Sequence, residues 1–210
     1  MIRKRQKRNQ NTMKIYDISQ EVFACAVFPG DPAPQKQVLA AIGSETPYNL
    51  SAFSMCAHNG THVDAPYHFL KGGKTIDRLP LHKTVGHAYV TEHCGIVTAE
   101  DADAILNRAM AADKEAAKRL LIKGNATVSL EAAAVFADAK IELIGNESQT
   151  VGPEDAPMAV HLTLLGAEIV LLEGIRLQDV PEGIYFLSAA PLLLAGSDGA
   201  PCRAILIEIE

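Results

Sequence analysis

Between His58 and His68 the chain reads His-Asn-Gly-Thr-His-Val-Asp-Ala-Pro-Tyr-His, so eleven residues hold three of its seven histidines plus Asp64. Imidazole and carboxylate together hold first-row divalent ions such as zinc or manganese. Imidazole also moves protons near neutral pH. The residues between them are small or turn-forming, which lets the four side chains converge. His58 and His62 have the spacing of the helical zinc-protease motif His-Glu-x-x-His. Here Asn59, Gly60 and Thr61 intervene, Ala65-Pro66 follows, and no glutamate stands beside His58. Glycine and a pre-proline residue both disfavour a helix. Residues 49–57 upstream read as a strand of small and apolar residues. The motif is therefore expected at a strand end running into a bent loop, where scaffold-held catalytic groups concentrate.

A metal needs a closed inner shell, and two downstream residues are candidates to complete it. His161 lies in a helical stretch, 157–165, with Gly166 placed as its C-terminal cap. Glu173 ends the apolar run Ile169-Val-Leu-Leu172, and a carboxylate there is costly unless paired or metal-bound. Alone, each has a simpler reading, as a satisfied core or surface histidine and a solvated glutamate. They gain meaning only jointly with the first cluster. No Ser-His-Asp or Cys-His nucleophile set stands out.

The elements that must position these residues alternate. Strands are expected over 15–19, 49–57, 87–91, 141–145, 168–173, 185–189 and 204–209. Helix formers occupy 99–110 and 113–121, and Ser129 stands as N-cap of a helix over 129–138. Phe28-Pro-Gly-Asp-Pro-Ala-Pro34 is a stiff turn, and 76–81 a loop beside the site. Strands at both ends and in the middle, with interposed helices, indicate one mixed α/β domain. The length of 210 residues and 48% hydrophobic content supply a core for it.

The net charge is −6, yet Arg3, Lys4, Arg5, Lys7 and Arg8 fall in the first twelve residues, which contain no acid. Residues 1–12 read as a disordered basic arm ahead of a domain over 13–210. A tail for an anionic surface is the alternative, and no apolar h-region makes it a secretory signal. The acidic body argues against nucleic-acid binding, and no apolar run is long enough to span a bilayer. Cys25, Cys56, Cys94 and Cys202 are scattered, as reduced core or near-core thiols of a cytoplasmic protein would be. Cys56 reads as a small buried hydrophobe. His82, His87 and His93 read as structural or surface residues.

The pattern His58-x-Gly-Thr-His62-x-Asp64-x-Pro66-x-His68 resembles the signature of the bacterial kynurenine formamidase and putative cyclase family of metal-dependent hydrolases. The resemblance runs from about Tyr16 to the C-terminus. It takes in Pro29-Gly30-Asp31, the stretch from His161 to Ile175, residues 179–183, and Ser197-Asp-Gly-Ala-Pro-Cys-Arg203. It implies a swivelling β/β/α, cyclase-like fold in a homodimer or higher oligomer. It also implies two divalent ions per chain, zinc first and manganese second. His58, His62 and Asp64 would bind one ion, Asp64 would bridge to a second held by His161, and Glu173 would contact one or both. His68 would be the general acid/base. The implied reaction is attack of metal-bound hydroxide on an N-formyl aryl amine, N-formylkynurenine foremost, giving formate and the free amine. A cyclic-amide or lactone hydrolase is the alternative, and a non-catalytic metal-binding module a further one. Phe28 stands where the family's kynurenine formamidases carry a tryptophan against the substrate ring. Residues 145–150, Gly-Asn-Glu-Ser-Gln-Thr, replace an Asp-Thr-Pro-like stretch.

Overall fold

A computed structural model of the chain describes residues 13–208, so the basic arm over 1–12 lies outside the described residues. The first strands are β1 (Ile15–Asp17), β2 (Gln35–Ala40), β3 (Leu50–Ser54), β4 (His62–Asp64) and β5 (Val85–Glu92). Next come β6 (Gly95–Val97), helix α1 (Ala99–Ala112), β7 (Arg119–Lys123), β8 (Ala126–Val128) and helix α2 (Leu130–Asp138). The rest are β9 (Leu143–Asn146), helix α3 (Met158–Gly166), β10 (Val170–Glu173), β11 (Gly183–Ser188), β12 (Gly199–Pro201) and β13 (Ile205–Glu208).

Nine strands form one mixed sheet in the order β1-β13-β11-β5-β7-β9-β10-β4-β12. Its middle, β5-β7-β9-β10, is parallel, and both flanks are antiparallel. The β2–β3 hairpin and the short β6–β8 pair stand apart from it. This mixed α/β domain agrees with the fold class expected from the sequence. None of the described helices is long and apolar enough to cross a membrane.

The helices cover one face of the sheet, where Ile105, Phe136, Leu164 and Leu165 pack on Leu120, Ile122, Ile144 and Leu171. Loops close the other face over Val63, Val90, Leu121, Leu143, Val170 and Leu172. A capping box starts α1: the Thr98 side chain accepts from the Asp101 amide, and the Asp101 carboxylate accepts from that of Thr98. Ser129 caps α2, its hydroxyl accepting from the Ala132 amide at 3.1 Å. Phe136 is fully buried at the centre of the helical layer. Its replacement by alanine is expected to cost about 3–5 kcal/mol, measurable by denaturant unfolding.

Three expectations are corrected. The helix formers of 113–121 instead give a short 3-10 turn and then β7. Burial on both faces of a parallel strand produces an unbroken apolar run, which overrides helix propensity. Gly166 does not cap α3: it is the helix's last residue, and the left-handed conformation falls on Glu168 (φ 60°). The motif is not a strand end followed by a loop. A turn carries His58 to Gly60, β4 carries His62 to Asp64 between two partners, and a 3-10 turn carries Pro66 to His68.

Candidate metal centre

Strand alternation assembles the site. His62 and Asp64 are two apart on β4 and share one face. Glu173 pairs directly with His62 across the β4–β10 ladder and joins that face. Helix α3 packs on the same side of β10, since Leu171 belongs to the helical layer, and it brings His161 down onto the carboxylates. Gly60, at φ +63°, turns the chain so that His58 returns beside Asp64, and a Cβ there would meet Cys25 Cβ at 2.8 Å.

The polar core is dense and buried. Asp64 is fully buried, and His62, His161 and Glu173 are at most 2% exposed. His62 Nε2 lies 3.3 Å from Asp64 Oδ1 and 3.4 Å from Glu173 Oε2. His161 Nε2 lies 3.3 Å from Glu173 Oε1 and 3.7 Å from Asp64 Oδ2. The far nitrogen of each ring is committed: His62 Nδ1–H donates to the Gly60 carbonyl at 3.0 Å, and His161 Nδ1–H to that of Pro157 at 2.9 Å. Those bonds leave both Nε2 lone pairs aimed at carboxylates, the second-sphere arrangement that readies histidines for metal. Asp64 Oδ2 has no hydrogen-bond partner. A buried carboxylate oxygen left so is costly, and lone pairs facing carboxylates repel unless a cation lies between them.

Protonation patterns agree. Burial works to lower the His62 pKa, but the hydrogen bonds and charges of Asp64 and Glu173 outweigh it and push it up to about 10. His58 and His161 rise in the same way against their burial, through Asp64 and Glu173 respectively. Burial works to raise the Asp64 pKa, yet its contacts with His58 and His62 hold it well below the usual carboxylate range. These shifts mark a place that favours positive charge, and the donor set fits a divalent ion. Ligand atoms of His62, Asp64 and Glu173 lie within 4.8 Å of one another, as do those of His58, Asp64 and His68.

A cavity of about 380 Å³ opens over these groups. Phe28, Phe69, Cys56, Asp31, Gln149, Thr150 and Asp198 form its walls, with His58, His62, His68, His161 and Glu173 below. The structure thus brings His58, His62, Asp64, His68, His161, Glu173 and Phe28 together around one space. His68 stacks on His58 with ring centroids 4.0 Å apart. Burial takes the His68 pKa below its usual value. Cys56 is not a core filler: it lines the cavity, its Sγ 3.6 Å from Asp31 Oδ2. Cys94 is exposed rather than near the core, and all four thiols are free.

Asp198 had no role of its own in the sequence reading, while Gln149 falls in the 145–150 stretch singled out there. Asp198 Oδ2 lies 2.9 Å from His58 Nε2 and 3.3 Å from His68 Nδ1. Gln149 Nε2 donates to the Gly60 carbonyl at 3.0 Å and its Oε1 accepts from Gln20, tying the cavity wall to the histidine loop. The signal for Asp198 was its place in the Ser197–Arg203 stretch. Gly199 follows it, and a Cβ at Gly199 would lie 2.6 Å from His58 Cε1. Gly199→Ala is expected to push His58 aside and weaken metal binding about 10-fold or more, as measured by chelator competition.

The family described as "Putative cyclase" matches residues 12–153. A kynurenine formamidase of Salinibacter ruber is 36% identical over 92% of this chain and 97% of its own length. Among solved structures, one described as a potential metal-dependent hydrolase with cyclase activity superimposes with TM-score 0.79 at 30% identity, covering 95% of this chain and all of that one. Isatin hydrolase A from Labrenzia aggregata, bound to benzyl benzoate, superimposes with TM-score 0.80 over 94% of both chains, and at 19% identity this likeness is one of fold.

Proposed function

The chain belongs to the Putative cyclase family, and on that premise we propose that it is a metal-dependent amidohydrolase cleaving a small N-acyl aryl amine, with N-formylkynurenine the leading candidate. The observation that carries this reading is the buried His62–Asp64–His161–Glu173 cluster with an orphaned carboxylate oxygen at the floor of an aromatic-walled cavity. His58, His62 and Asp64 would hold one ion, and Asp64, His161 and Glu173 a second, zinc first and manganese second. Such ions supply a nucleophile from water at neutral pH and polarise the scissile carbonyl.

The remaining work falls to the protein. Asp64 and Glu173 keep the charge of the site balanced away from solvent. His68 holds a proton-accepting nitrogen toward the cavity, takes a proton from the nucleophile and returns it to the departing nitrogen. Phe28 and Phe69 flank the space for an aryl ring. A cyclic-amide substrate is the second reading, favoured by Phe28 in place of tryptophan on the cavity wall.

Purified chain loaded with zinc or manganese is expected to release formate and amine from N-formylkynurenine and formanilide. Turnover of cyclic amides or lactones alone would favour the second reading. A chain that stays metal-free in replete buffer would overturn both.

The β2–β3 hairpin exposes Val38, Leu39, Leu50 and Phe53, and residues 192–194 expose three leucines. These patches support a homodimer or higher oligomer, which light scattering on the eluting protein measures. The free thiols support a reducing, cytoplasmic location.

A further inference from the structure

Asp198 sits where two functions meet. The β4–β12 ladder pairs Gly199 with Asp64, so strand register delivers Asp198 to the rim of the site. Its backbone carbonyl accepts from the Ala65 amide at 2.9 Å, and its Oδ1 accepts from the Ser197 hydroxyl at 3.4 Å. The other oxygen, Oδ2, is the one that faces His58 and His68. No other described carboxylate contacts His68 within ion-pair distance.

We propose that Asp198 is a positioning residue that couples the metal-binding and proton-transfer halves of the site, one carboxylate oxygen accepting from both His58 Nε2–H and His68 Nδ1–H. This rests on the proposed hydrolase reading. The bond to Nε2 leaves His58 Nδ1, 2.8 Å from Asp64 Oδ1, as the nitrogen available to a cation. The bond to Nδ1 of His68 fixes the tautomer whose Nε2 carries the lone pair. The stacked rings then turn about a common anchor, so neither can rotate without loosening the other. Carboxylates behind ligand histidines contribute about 10- to 100-fold in metal affinity or activity.

Asp198 is partly exposed at the cavity mouth, so its variants should fold. Asp198→Ala should weaken cobalt or zinc binding about 10-fold in chelator competition, alter the visible spectrum of the cobalt-loaded chain, and lower kcat about 100-fold with KM nearly unchanged. Asp198→Asn keeps an oxygen acceptor and should recover much of the cobalt spectrum and metal affinity. The proposal is overturned if Asp198→Ala keeps the wild-type cobalt spectrum and affinity, if its loss lies in KM alone, or if Asp198→Asn is no better than alanine. The metal and spectral measurements need no substrate. They test Asp198 even if wild-type chain fails to hydrolyse the N-acyl panel, a failure that would count against the hydrolase reading alone.

Discussion

Asp64→Asn is expected to empty the site of metal and lower turnover by more than about 10³-fold. Asp64 is fully buried at the point where His58, His62 and His161 converge, and its Oδ2 has no other partner. The amide keeps the volume but loses the charge, and it turns an N–H₂ donor toward the space a cation would fill. His62 would retain only Glu173, 3.4 Å away, as an anionic partner. Charged ligands dominate binding of hard and borderline divalent ions, so loss of the shared carboxylate weakens every position it touches. Packing around Val63 is unchanged, so the fold should persist by circular dichroism. Metal content measured after dialysis against a zinc-replete buffer decides the matter: a variant that still binds stoichiometric metal would remove Asp64 from the centre.

The second large effect separates proton transfer from metal binding. His68→Ala should lower kcat by about 10²- to 10⁴-fold, the usual contribution of a positioned acid/base, while metal content stays near that of wild type. His68 stands on the 3-10 turn after β4, stacked on His58, with its ring lining the cavity and only part-buried, unlike the buried carboxylates. Its nitrogen nevertheless lies within ligand reach of His58 and Asp64. Metal analysis beside steady-state rates therefore carries the distinction. Parallel loss of metal and rate would make His68 a ligand, and full activity would move the proton-transfer role elsewhere in the cavity.

Legibility of the fold varied with local cause. Helix α1 was visible from its helix formers, and α2 from helix formers together with the Ser129 cap. β7 was hidden because Arg119-Leu-Leu-Ile-Lys follows helix-forming residues, and a run buried on both faces has no alternation to read. β12 was missed altogether: Gly199-Ala-Pro201 carries no strand signature and is a strand only because β4 offers it an edge.

For the site, residue types and spacing alone specified an imidazole–carboxylate motif and hence its chemistry, since donor identity is a property of the side chain and needs no fold. The pairing of that motif with His161 and Glu173 follows from the β4–β10 register and from α3 lying on the same face, both long-range contacts. The commitments of His62 Nδ1 to Gly60 and His161 Nδ1 to Pro157 are local, spanning two and four residues; the orphaned oxygen of Asp64 and the place of Asp198 against His58 and His68 are tertiary. They depend on ångström distances between residues up to 140 positions apart. Sequence determined which atoms can bind a cation or carry a proton. Only the folded sheet decided which of them face one another, because that convergence is set by strand register and burial.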